Sequence, residues 1–246
     1  MARVLEVCVD SVESALAAAR GGATRLELCA NLILGGTTPS PALFDAVRAA
    51  TGLPVHVLIR PRFGDFLYTE WEYRIMCREV EEFARRGANG VVIGALRPDG
   101  SLDPEKLSGL IAAAKGLRVT LHRAFDVCRD PMEALEQAAG LGVDTVLTSG
   151  QQADAWAGRA LIGQLLAAGR AEILIGGGVN AAVIRDFRQL LPEAEAFHLS
   201  GKQVLESGMT YRNPAVSMGL PGISEYQLWR TGESAVRLAA AALWED

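Results

Sequence analysis

Eight short apolar runs, each followed by an Ala-rich amphipathic stretch, recur along the whole chain, and this alternation is the strongest constraint on its fold. The runs are rich in Val, Ile and Leu and too short for typical helices, so they read as strands. They cover Val4 to Val9, Arg25 to Cys29, Val55 to Arg60, Gly90 to Gly94, Arg118 to His122, Thr145 to Thr148, Ile173 to Gly176 and Ala196 to Leu199. Helices are predicted at Ser11 to Arg20, Pro41 to Ala50, Thr69 to Arg86, Pro104 to Lys115, Pro131 to Leu141, Arg159 to Ala168, Ala181 to Leu190 and Glu233 to Trp244. Parallel strands need such crossovers. Eight units in 246 residues, close to the ~250 typical of the fold, predict an α/β protein: one (β/α)8 TIM-barrel domain over residues 1–246.

Local signals agree with this division. Ser11, Ser40, Asp103 and Asp130 place a capping oxygen before a helix, three of them followed by Pro at the first helical position. Gly22, Gly52, Gly87, Gly116, Gly142 and Gly169 supply the left-handed residue that ends one. A doubly wound open sheet is the alternative, but its first strand would lead into a Gly-rich nucleotide loop, and Cys8-Val9-Asp10-Ser11 is not one. The segment 201–231 is the longest without a clear period and reads as a lid, an oligomer contact or a plain crossing loop.

Net charge −5, with no basic run able to track a phosphate backbone, argues against nucleic acid as a partner. No window approaches the ~18 continuous apolar residues of a membrane span. The four cysteines form no CxxC pair, and the N-terminus carries no targeting pattern, so a reducing cytoplasm is expected.

Strand side chains alternate between the barrel axis and the helices. With Val and Leu on the helix side, the axis receives Glu6, Cys8, Glu27, Cys29, His56, Arg60, Thr120, His122, His198 and Ser200. Buried carboxylates need cations or donors beside them, so the set reads either as a polar site or as structural ion pairs between Glu6 or Glu27 and Arg60. Glu6, Glu27, Arg60, His122 and His198 are the catalytic candidates, the histidines as acid or base near neutral pH. Arg62 adds positive charge at the mouth, and Ser149, Gly177, Gly178 and Ser200 are candidates for holding an anionic ligand after strands 6 to 8. Cys8 and Cys29 sit at corresponding positions on adjacent strands, where a thiolate pair suits copper(I), or where each is simply a small buried hydrophobe.

Leu5-Glu6-Val7-Cys8-Val9-Asp10-Ser11, Leu26-Glu27-Leu28-Cys29, Gly35-Gly36-Thr37-Thr38-Pro39-Ser40, Ile59-Arg60-Pro61-Arg62, His122-Arg123-Ala124-Phe125-Asp126, Leu147-Thr148-Ser149-Gly150 and His198-Leu199-Ser200-Gly201 occur in that order. Together they resemble the CutC copper homeostasis family over nearly the whole chain. The resemblance implies a TIM barrel, a cytoplasmic location, a homodimer or higher homo-oligomer, and a role in copper handling with Cys8 and Cys29 as copper(I) ligands. No organic cofactor is indicated. The inward Glu, Arg and His set exceeds what two-coordinate copper(I) requires. The alternative is therefore a TIM-barrel enzyme of lyase, isomerase or hydrolase type acting on a small anionic or phosphorylated substrate.

Overall fold

The computed structural model describes residues 3–216, 218–219 and 222–245. Eight parallel strands close into a barrel in chain order: β1 (Val4–Val9), β2 (Arg25–Leu28), β3 (Val55–Leu58), β4 (Gly90–Ile93), β5 (Arg118–Leu121), β6 (Thr145–Thr148), β7 (Glu172–Ile175) and β8 (Ala196–Leu199). β8 pairs with β1 to complete the ring. Between them run α1 (Val12–Gly21), α2 (Pro41–Thr51), α3 (Glu70–Arg85), α4 (Pro104–Ala114), α5 (Pro131–Leu141), α6 (Arg159–Ala168) and α7 (Ala181–Leu190), with α8 (Glu233–Trp244) last.

The helices begin where the sequence places a capping oxygen. Ser11, Ser40, Asp103 and Asp130 each accept a backbone N–H of the first turn. Thr69 and Glu72 add a reciprocal capping box to α3. The stop at α4 differs in detail: Lys115, not Gly116, is its left-handed cap, with φ 50°.

Cys29, His122 and Gly176 lie just past their strands, yet their N–H groups continue the ladder to Val9, Ile93 and Thr148. The mouth is thus held by main-chain bonds. Outward strand residues such as Leu5, Val7, Leu26 and Val57 meet the apolar helix faces in one continuous core. Two small apolar clusters fill gaps inside the ring: Cys29 with Leu58 and Val92, and Leu147 with Leu174 and Ala196.

Segment 201–231 is not irregular throughout. β9 (Lys202–Glu206) and β10 (Gln227–Thr231) form a two-stranded antiparallel ribbon outside the barrel. Both sides of β9 are exposed, so no hydrophobic face imposes an alternation that could mark the strand in sequence. The ribbon is tied to the barrel where Thr231 N–H donates to Ser14 Oγ at 3.1 Å. Among the described residues, no helix is long and apolar enough to cross a membrane.

Candidate functional site

Cross-strand register builds the site. Glu6 on β1 has Arg25 of β2 on one side and His198 of β8 on the other as its Cα partners. Arg25 Nε donates to Glu6 Oε2 at 2.6 Å, and His198 Nδ1 lies 2.8 Å from Glu6 Oε1. Glu6 is fully buried. Burial alone would raise its pKa, but the His198 hydrogen bond and the Arg25 charge overcome that and lower it to about 2. Glu6 therefore stands as a carboxylate that fixes the His198 ring and leaves Nε2 for the cavity.

Two residues further along β1, Cys8 pairs in register with Glu27. One donor atom each from Cys8, Glu27 and His198 lies within 4.8 Å of the others, the one such group of three or more metal-capable side chains among the described residues. His198 Nε2 is 3.7 Å from Glu27 Oε2. Burial works against a charged His198, yet Cys8 and Glu27 outweigh it and raise the imidazole well above its ordinary value. Burial pushes the Glu27 carboxyl up to about 7. Cys29 does not belong to this group. Its thiol donates to the Val9 carbonyl at 3.5 Å within the Leu58 and Val92 cluster, and burial pushes its pKa well up.

A cavity of about 360 Å³ opens at the C-terminal mouth, with Cys8, Glu27, Arg60, Phe66, His122 and His198 in its wall. Arg60 donates through Nη1 to the carbonyls of Gly35 and Gly36 and through Nη2 to Gly64. His122 caps the short 3-10 turn that follows β5, its Nδ1 accepting the Ala124 N–H at 3.1 Å. Burial, then the neighbouring Arg60 charge, lower its pKa to about 3. His122 is thus neutral, with its ring hydrogen on Nε2. His56 points toward the opposite mouth, where it lines a separate opening with Arg25 and Arg118.

The remaining anion candidates are dispersed. Arg62 is taken up by Glu72 and Asp65. Asp126, passed over in the sequence, accepts from the N–H groups of Ser149 and Gln151 and from Thr148 Oγ1. An internal carboxylate thus fills the nest after β6, and Ser149 Oγ receives Arg123 Nη2 at 2.8 Å. Gly177 packs against Ser149; a Cβ there would stand 2.9 Å from the Ser149 Cβ. Neither Gly177 nor Gly178 lines the mouth cavity. Ser200 lines a different cavity of about 100 Å³ with Lys202, Trp229 and Arg230.

Arg25 and Phe66 were also missed. Alternation could have found Arg25, which is two residues before Glu27 and so on the same face. Nothing in the sequence marks Phe66.

This arrangement can be set beside known proteins. Residues 3–203 match the sequence profile of the CutC family. The chain belongs to the CutC family. A copper homeostasis protein cutC homolog from Homo sapiens is 45% identical over 239 residues, covering 95% of this chain and 86% of that one. A family protein CutC from Bacteroides fragilis (strain YCH46) is 47% identical over 230 residues, covering 91% and 90%. Among solved structures, a CutC protein from Streptococcus agalactiae superposes with a TM-score of 0.76 at 29% identity, covering 80% of this chain and 98% of that one. The CutC barrel is thus shared by a relative of known structure.

Proposed function

We propose that this CutC barrel handles copper in the cytoplasm by holding one Cu(I) ion at its C-terminal mouth, with Cys8 Sγ and His198 Nε2 as ligands. The observation that carries the reading is the grouping of Cys8, His198 and Glu27 donor atoms within 4.8 Å, with His198 Nδ1 anchored on Glu6. A metal-bound histidine characteristically gives its other ring nitrogen to a carboxylate, which fixes the ring and the tautomer. Thiolate and imidazole are soft enough for Cu(I), whereas a carboxylate is a poor ligand for it. Glu27 is therefore assigned to the rim of the site. Cys29 stays a buried thiol. All four cysteines are free, which supports a reducing compartment. The names of the curated relatives, copper homeostasis protein cutC homologs, support the copper reading.

Anaerobic Cu(I) titration against a chromophoric competitor tests it. Wild type and Cys29→Ser are expected to take up one equivalent, while Cys8→Ser and His198→Ala lose it. Uptake by Cys8→Ser equal to wild type removes the proposal, and loss in Cys29→Ser restores the paired-cysteine site that the sequence resemblance implies. A second reading, an enzyme acting on a small anionic substrate, is favoured by the cavity itself. It is far larger than one ion and carries Arg60 and His122 on the wall. We also propose that the barrel associates with a second copy through the ribbon of β9 and β10.

A further inference from the structure

Several buried polar atoms have no hydrogen-bond partner, and two of them belong to residues in the wall of the mouth cavity: Arg60 Nε and His122 Nε2. Arg60 and His122 both line that cavity, and the Tyr68 hydroxyl sits beside the same guanidinium. Phe66 links the two cavity residues. Its ring centroid is 5.1 Å from Arg60 Cζ and 4.8 Å from the centre of the His122 ring.

Which hydrogens are free follows from the bonds already made. Arg60 spends Nη1 and Nη2 on the carbonyls of Gly35, Gly36 and Gly64, which leaves Nε–H. His122 Nδ1 accepts from Ala124, so the neutral ring carries its hydrogen on Nε2. Arg60 and His122 are each more than nine-tenths buried. Unmatched buried donors are costly, and Arg60 Nε–H and His122 Nε2–H are two such donors on residues of one cavity wall.

We infer that this wall binds a small carboxylate, one oxygen accepting from Arg60 Nε–H and the other from His122 Nε2–H, with Phe66 moving aside to admit it. One N–H donor on each residue can match one of the two oxygens of a carboxylate. A phosphate dianion fits poorly, because it brings further acceptors and a second charge toward Glu27 and Cys8 across the same cavity. At about 360 Å³ the space takes a molecule of a few carbons whose far end meets Cys8, Glu27 and His198. The inference deepens the enzyme reading by naming its ligand class. It is independent of copper, so either can fail alone.

The test uses the metal-free protein, with acetate, pyruvate and succinate as probes and inorganic phosphate as the contrast. Calorimetry and thermal melts are expected to show at least one carboxylate binding and raising the melting temperature, since a ligand of the native state alone stabilises it. Cys77→Ser, on α3 and away from the cavity wall, is expected to bind as wild type does. Arg60→Lys and His122→Asn are expected to lose roughly tenfold or more in affinity, the loss of one charge-assisted or buried hydrogen bond. Asparagine can still cap Ala124 but is too short to replace Nε2–H. Phe66→Ala, which removes the ring packed against both residues and leaves both donors in the chain, is expected to bind at least as tightly as wild type. No carboxylate binding by wild type, a preference for phosphate, or undiminished binding by both Arg60→Lys and His122→Asn would each overturn the inference.

Discussion

His122 shows how burial changes what a strand-end histidine offers. Its place at a strand end beside charged residues points to proton transfer, but burial and Arg60 hold it neutral with a pKa of about 3. A histidine depressed in the fold contributes stability that is present above its unfolded value of 6.5 and is lost as pH falls toward 3. His56, lowered to about 4 by burial, acts in the same direction. Glu27, raised to about 7, opposes them between about pH 7 and 4.5, so one group against two leaves a net loss of stability on acidification below about pH 6.5. Each histidine that takes up a proton only on unfolding adds a slope of at most about 1.4 kcal/mol per pH unit. In His122→Asn that slope should fall by about one such increment between pH ~6 and ~4, measured by urea unfolding at several pH values. An unchanged slope would mean that His122 is charged in the native state.

Much of the inward set was readable because alternation needs only sequence parity. Glu27, Arg60, His122 and His198 line the mouth cavity, while Glu6 lies between His198 and Arg25 without reaching it. What parity cannot supply is register: only the pairing of Glu6 with both Arg25 and His198 shows that the cation meeting Glu6 is Arg25 and not Arg60.

At the scale of the element, β4 explains how two histidines fit inside a small ring. Gly90 faces His56, where a Cβ would come within 2.7 Å of the imidazole, and Gly94, just past the strand, faces His122, where a Cβ would lie 2.3 Å from Cε1. Neither glycine has the left-handed backbone that would itself demand glycine, so room for the neighbouring ring is their constraint. Gly94→Ala should push His122 out of its position over Ala124 and destabilise the fold by about 1–3 kcal/mol, as overpacking of a filled interior does. Chemical denaturation checks the magnitude. A proton NMR titration of the imidazole checks the cause, since a displaced His122 regains an ordinary pKa. Helix starts were legible for a related reason: a capping serine or aspartate before proline acts locally. The nest after β6 was not, because the carboxylate that fills it, Asp126, arrives from the loop after β5.

At the scale of the whole molecule, the eightfold repeat determines the barrel, while the ribbon lies outside the repeat and its role depends on what covers it. A two-stranded ribbon is marginal by itself in water. Here β10 packs on α1, but Val204, Leu205 and Leu228 stay exposed on the ribbon, with Tyr211 exposed in the connection between its strands. Of the other apolar residues in this segment, Met218 is exposed, Tyr226 and Trp229 are half-buried, and Leu220 lies outside the described residues. Clustered apolar side chains on an unpaired strand edge mark a surface that meets a partner. A second copy is the occupant expected, because a ribbon can pair its free edge with the same edge in a two-fold arrangement that satisfies both. Light scattering of the purified protein should give at least a dimer, and Leu228→Lys combined with Leu205→Glu should shift it toward monomer. The barrel itself should survive that change, since neither side chain belongs to the core. A wild-type monomer, or an oligomer whose mass ignores both substitutions, would place any self-association on another face.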